Sequence, residues 1–243
     1  MKTNINSFWI QGRLSEINWL SILSFLKHGH TFTLYTYERN LNFPANINFD
    51  GLILKDARLI MPEIEIFFYK RMMNGNPHFK FGGIAERMKA EMLYQLGGWH
   101  VDLDVVCLRN FDSITGEYVL RPHPINGKLT GVVGNIIKAP VRSELAKRYV
   151  EWTKTITPDN TDWEKSFRGL NEIVSDLNLK QYIVSPEILG YDSQLFWKNL
   201  KQVGVKLPDV YKNVYAIHFC NAMQEPNQQG SFYSSLLSQY NLA

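Results

Sequence analysis

Two aspartates with one residue between them, Asp102 and Asp104, stand in the apolar, β-forming run WHVDLDVVCL. Aspartate is depleted in strands, and a local breach of propensity is what functional sites show. If residues 99–108 form one strand, alternation sends Trp99, Val101, Leu103, Val105 and Cys107 to one face. His100, Asp102, Asp104 and Val106 then take the other. Both carboxylates look the same way, their Cα atoms about 6.5 to 7 Å apart at a rise of about 3.3 Å per residue. Like charges at that distance raise each other's pKa unless something positive lies between them. A divalent cation meets that need, because Mg2+ and Mn2+ are commonly held by one or two carboxylates together with substrate phosphates. The competing reading is an exposed polar face on an edge strand, since so short a motif also arises by chance.

The residues just before the pair must position it. Ile84, Met88, Met92 and Leu96 recur at steps of four, with Ala85 and Leu93 beside them. They predict a helix that stops at Gly97 and Gly98, where the chain needs positive φ. On a wheel of about 100° per residue, Lys89 falls inside the apolar arc and Glu86 at its edge. A lysine on the buried side of a helix either snorkels or meets an anion. The plainer alternative is a surface ion pair between Glu86 and Lys89, three residues apart.

Read together, LYQLGGWHVDLDVVCL resembles the second half of the sugar-binding region of the DxD glycosyltransferases that include the family thirty-two enzymes and the glucosylating clostridial toxins. That region runs roughly SDxxRxxxLxxxGGxYxDxD, and the matched core covers about an eighth of this chain. The first half departs from the pattern: Ala85 and Glu86 stand where Ser and Asp are usual, Lys89 where Arg is usual, and His100 replaces the common Tyr. The resemblance implies an α/β GT-A fold, with a Rossmann-like central mixed sheet flanked by helices. It implies a metal-dependent glycosyltransferase that moves a sugar, with retention, from a nucleoside-diphosphate sugar of the UDP type. The cofactor would be Mn2+ or Mg2+, and the acceptor a glycan, a lipid-linked molecule or a protein. It places Glu86 and Lys89 at the donor sugar and its phosphates, and carries Gly98 with them. It likens the turn at Trp9, Gln11 and Gly12 to the family's W-x-G turn at the nucleotide, and puts Asn135 near donor and acceptor. His218, in the segment His218, Phe219, Cys220, Asn221, would complete a metal site with Asp102 and Asp104. The competing reading of His218 is a packed core histidine.

The rest of the chain reads as scaffold. A short apolar run at 7–10, a helix at about 16–27 capped by Ser15, and an alternating run at 31–37 make a βαβ opening. Ligands of open α/β sheets bind outside the carboxyl ends of the strands. Trp9, Gln11 and Gly12 after the first strand, and Thr36 and Tyr37 after the second, are therefore candidates to hold a base and ribose. Trp9 could equally be a core aromatic. A strand is expected at 51–54, a helix or strand at 62–73, and a ligand-adjacent loop at 74–83. Strands follow near 118–120 and 131–137, the second interrupted by Gly134 and Asn135, as happens where a backbone approaches a ligand. Helices are expected at about 142–155 and 163–177, the latter capped by Asp162, and a short strand at 182–184. The loop with Glu187 and Asp192 could line an acceptor pocket. A last strand, 213–219, ends near His218, and the amphipathic tail 231–240 is suited to folding over the nucleotide or meeting a partner.

Composition bounds the classes. The 243 residues are 45% hydrophobic, enough for a full core, and show no composition break, so one domain is expected. Its nucleotide-binding half would be 1–112, and its acceptor half, with the metal-ligand strand, 113–243. A net charge of +3 from dispersed basic residues does not indicate nucleic acid, though it is compatible with peripheral contact at an anionic membrane surface. No run approaches the ~18 apolar residues of a membrane span. Gln11, Arg13, Glu16 and Asn18 interrupt any signal-peptide core. Cys107 and Cys220 are expected as buried free thiols, which fits the cytoplasm. Two other functions compete. One is an aspartate-nucleophile phosphatase reading of VDLDV, which would need later Lys and paired acidic motifs. The other is a non-catalytic nucleotide-sugar-binding module.

Overall fold

Four parallel strands form one side of the central sheet. The computed structural model describes residues 2–10, 12–73, 76–80, 82–125, 128–158, 163–190, 199–207, 209–220 and 226–242. In it, β1 (Asn4–Trp9) leads through α1 (Glu16–Lys27) into β2 (Thr31–Thr36), and β3 (Leu52–Asp56) follows. The α1 start is sealed by Asn18, whose Oδ1 accepts from the Ser15 backbone N–H at 2.9 Å, the reciprocal half of a capping box. Strands β4 (Tyr69–Met73) and β5 (Asn76–Lys80) pair as a separate antiparallel ribbon. Residues 76–80, expected as loop, are therefore strand.

Helix α2 (Gly82–Leu96) then runs into β6 (Gly98–Val101). After β6 come β7 (Val105–Cys107), β8 (Val119–Ile125) and β9 (Lys128–Ala139). Helices α3 (Glu144–Thr153), α4 (Trp163–Asp176) and α5 (Pro186–Leu189) follow, then β10 (Ala216–His218) and α6 (Phe232–Gln239). The six-stranded sheet has the order β3-β2-β1-β6-β9-β8. The first four strands are parallel, while β9 and β8 are antiparallel to their neighbours. Helices flank this mixed sheet in one α/β domain, an arrangement consistent with a GT-A-like fold.

Both faces of the sheet are covered. Ile5, Phe32, Leu34, Trp99, Val101 and Ile136 pack with Trp19, Ile22 and Phe25 of α1. Leu120, Val132 and Ile137 pack with α2, α3 and α4 through Ala90, Leu93, Tyr149 and Leu170. Neighbouring Ile136 and Ile137 serve opposite faces, as the period of two requires. Among the described residues no helix is long and apolar enough to cross a membrane.

Several local expectations need correction. The chain from 99 to 108 is not one strand: β6 ends at Val101, the two aspartates lie in a turn, and β7 leaves the sheet to pair with β10. Around 182–184 a 3-10 turn (Lys180–Tyr182) precedes a single bridge between Ile183 and Leu120. The tail forms α6, whose Tyr233, Leu236 and Leu237 pack on Ile17, Leu20 and Leu23 of α1; it is core, not a cover for the site. Cys107 is buried, but Cys220 is only partly so and lies just past β10 at φ 48°. Glu187 sits on the short α5 instead of a loop, while Asp162 and Asp192 lie outside the described residues.

Candidate active site

Because β1, β2 and β6 are parallel neighbours, their carboxyl ends share one edge of the sheet. Trp9, Tyr37 and Asp102 therefore come to the same border from three distant parts of the sequence. The turn at 102–104 is anchored through its backbone. Asp102 N donates to Asn135 O (2.9 Å), Val105 N to Asp102 O (3.1 Å), and Phe219 N to Asp104 O (2.9 Å). The Asn18 side chain donates to Leu103 O at 3.0 Å. With its peptide groups bound to α1, β9 and the segment after β10, the turn has a defined shape. What remains for chemistry is its two carboxylates.

These carboxylates have different surroundings. Asp102 Oδ1 lies 3.4 Å from Lys89 Nζ and 3.1 Å from His100 Nε2. Lys89 is only 2% exposed and also donates to Glu86 Oε1 at 3.0 Å. The second oxygen of Glu86 accepts from the Tyr149 hydroxyl. Burial works to lower the Lys89 pKa, but Asp102 and then Glu86 outweigh it and hold the ammonium above its usual range. Burial likewise opposes ionisation of Asp102, yet Lys89 and then His100 hold its carboxyl well below the usual range. His100, stacked on Phe8 with ring centroids 5.8 Å apart, is pushed down by burial against the pull of Asp102, so it is neutral at pH 7. A buried ammonium therefore joins two carboxylates whose side chains stay 22% (Glu86) and 34% (Asp102) exposed.

Asp104 meets β10. Its Oδ1 lies 3.1 Å from His218 Nε2. Asn135 Nδ2 lies 2.8 Å from His218 Nδ1, and Asn135 Oδ1 accepts from Arg121 Nη1 at 3.1 Å. Arg121 is 2% exposed and also donates through Nε to Leu189 O at 2.9 Å. Cys220 Sγ lies 3.3 Å from His218 Nδ1. Thus Arg121, Asn135, His218 and Asp104 form a connected line under the turn.

Among the described residues no three His, Cys, Asp or Glu side chains assemble a ready-made metal cage. Asp104 and His218 do meet as an oxygen and a nitrogen donor. A divalent ion is ordinarily held by one or two carboxylates with the rest of its shell from phosphates and water, so the Asp104 carboxylate fits; His218 fits through Nε2 with its proton on Nδ1, which requires the Asn135 amide to turn its oxygen from Arg121 to the ring. Lys89 Nζ and His100 Nε2 both meet Asp102 on Oδ1, and its side chain remains 34% exposed.

The base and ribose candidates are partly assembled. Trp9 Nε1 donates to Gly12 O at 2.7 Å, and Gly12 N to Glu38 Oε1 at 3.1 Å, which ties the turn after β1 to the end of β2. Tyr37 is buried and its hydroxyl donates to Met61 O at 2.8 Å. With Thr36, Glu38, Arg39, Lys55 and Arg58 it lines an open cavity of about 440 Å3 at the ends of β2 and β3. Gln11 lies outside the described residues. Gly98 is not brought to this border. It begins β6, at the strand end opposite Asp102, where its φ of 73° serves the turn out of α2. Two residues missed from the sequence belong to the site, Arg121 and Tyr149. An arginine inside the apolar run of β8 was a usable signal for the first. Nothing in the helical pattern of α3 marked the second.

No protein-family model and no curated protein matches the chain. A solved structure described as "PaToxG Glycosyltransferase" is similar to it at TM-score 0.49 and 12% identity, over 74% of each chain. At that distance the likeness says nothing of the reaction, which has to be read from the site itself.

Proposed function

We propose that the protein is a glycosyltransferase that takes a sugar from a nucleoside-diphosphate sugar, of the UDP type, and passes it to a hydroxyl acceptor on a glycan, lipid-linked molecule or protein. The observation that carries this reading is the buried Lys89 between Glu86 and Asp102. Two partly exposed carboxylates, held a fixed way at the carboxyl border of a parallel sheet, are acceptors for the hydroxyls of a sugar ring. Next to them, Asp104 and His218 would hold Mn2+ or Mg2+ against the donor's diphosphate. The imidazole tilts the choice to Mn2+, since Mg2+ keeps to oxygen donors. Such an ion supplies Lewis-acid stabilisation of the diphosphate leaving group.

The chain's own residues do the rest. Trp9, Gly12 and Tyr37 border the nucleotide. Lys89 keeps Asp102 ionised and holds both it and Glu86 in line, so they accept hydrogen bonds without rearranging. Asn135, itself held by Arg121, sets which His218 nitrogen carries the proton. The acceptor hydroxyl attacks on the face the leaving group vacates and passes its proton to the departing diphosphate. This retains configuration and needs no side-chain nucleophile.

A thermal-shift panel of nucleotide sugars with and without Mn2+, followed by assay of UDP release, tests the reading. A metal-dependent shift with a UDP-sugar is expected, and Asp104→Ala should abolish its metal-dependent part. An unchanged shift in that variant would count against the assigned site. Binding without turnover across donors and acceptors would favour the non-catalytic binding module, whose requirements this geometry also meets.

A further inference from the structure

We propose that Tyr149 is a positioning residue of the donor site, fixing Glu86 so that its carboxylate meets the donor sugar's hydroxyls in one orientation. This rests on the glycosyl-transfer reading and deepens it. Tyr149 is fully buried on α3, in an apolar cluster with Ala90, Leu93, Leu120, Ile137 and Leu145. Phenylalanine would satisfy that packing. A buried phenol needs a partner for its hydroxyl, and this one finds it outside the cluster, on Glu86 Oε2.

The consequence falls on Glu86. Its Oε1 is held by Lys89 Nζ at 3.0 Å and its Oε2 by Tyr149, so donors from two helices grip both oxygens of a side chain with three rotatable bonds. Each oxygen keeps a further lone-pair site, and the side chain stays 22% exposed beside Asp102. Burial, reinforced by Glu86, pushes the Tyr149 phenol well above its usual range, so it is a donor at neutral pH. Gly134 closes the pocket from the β9 side, where a Cβ would stand 3.2 Å from Lys89 Nζ and 3.6 Å from the Tyr149 hydroxyl. Lysine and tyrosine thus share one confined space behind Glu86.

Tyr149→Phe separates positioning from packing. Calorimetry with Mn2+ would compare UDP alone with UDP-glucose, UDP-galactose, UDP-N-acetylglucosamine and UDP-xylose. For the UDP-sugar that the wild type prefers over UDP, the variant should lose about tenfold in affinity, the scale of one charge-assisted hydrogen bond, while UDP binds as before. In turnover KM for the donor should rise more than kcat falls. In a Glu86→Ala background, which removes both oxygens, the same change should add nothing, because Tyr149 acts only through that carboxylate. Equal losses for UDP and UDP-sugar, no loss, or an undiminished effect in the Glu86→Ala background would each overturn the proposal. If Tyr149→Phe does not fold, Tyr149→Met, which also lacks the hydroxyl, takes its place under the same criteria. A wild type that binds no UDP-sugar better than UDP would instead sink the donor reading itself.

Discussion

At the scale of single residues, the site turns on where one positive charge is buried. Lys89 lies among apolar neighbours yet keeps its proton, because Asp102 and Glu86 are close enough to outweigh the cost of burial. Removing either carboxylate would leave a less compensated buried ammonium, a costly state. Space is as tight as charge. A methyl group at position 134 would sit 3.2 Å from both Lys89 Cδ and Nζ, and the ammonium cannot retreat without stretching its contacts. Gly134→Ala is therefore expected to cost about 1 to 3 kcal/mol, the usual range for overpacking, and to weaken UDP-sugar binding. Urea unfolding and the thermal-shift panel read the two effects, and a variant that matches wild type in both would mean that Lys89 moves freely. Lys89 was legible beforehand, because a helical wheel puts it in the apolar arc. Its second anion, Asp102, was not legible as its partner, because α2 must first pack on the sheet.

At the scale of elements, the decisive feature is how α2 hands the chain to β6. Gly97 takes φ 62°, and a Cβ there would lie 2.4 Å from the Val141 backbone nitrogen. Two demands coincide: a left-handed helix end and the close passage of the segment between β9 and α3. Gly97→Ala should pay about 1 to 2 kcal/mol for the backbone alone, plus the shift of Val141. For a chain of this length about 1 kcal/mol moves Tm by 2 to 4 °C, so a drop of at least several degrees is expected in calorimetry. A drop below 2 °C would show that the two segments part easily. The pair GG before the aspartates announced this helix end plainly. The next element was misread, because β-forming residues on both sides of the aspartates hide the break. Once Asp102 N pairs with Asn135 O and Val105 N with Asp102 O, the chain turns and β7 joins β10 instead of extending β6. Period-two alternation carries no signal for that exchange of partners.

At the scale of the whole molecule, two buried histidines couple stability to pH. His30 is 2% exposed, packs against Phe25 and Phe111, and accepts the Phe111 N–H on Nε2 at 3.0 Å. Burial lowers its pKa, with Asp112 opposing; burial also lowers that of His100. The folded state then binds fewer protons than the unfolded chain once pH drops below about 6.5. Stability is full above that value and declines as pH falls toward the folded pKa values, by up to about 1.4 kcal/mol per pH unit for each proton excluded. Urea midpoints at pH 8, 7, 6 and 5 should be level at the top and fall at the bottom. His30→Gln should be less stable at pH 8 but decline less steeply. A midpoint that climbs on acidification would reverse the assigned sign.

What the amino-acid order determined by itself was local: the βαβ opening, α2 with its glycine stop, an α/β class, and a short list of charged residues in apolar company. These follow from periodicity and backbone preference, which act over a few residues and are written along the chain. What the tertiary structure decided was which of those charges meet. Tyr149 reaches Glu86 across 63 residues and Asn135 reaches His218 across 83, contacts that exist only after helices and strands have packed. The split of the aspartate pair, one carboxylate drawn to a buried lysine and the other to a histidine on β10, belongs to that packing. Positions two apart share neighbours along the chain, but the turn gives each carboxylate its own nearest partner.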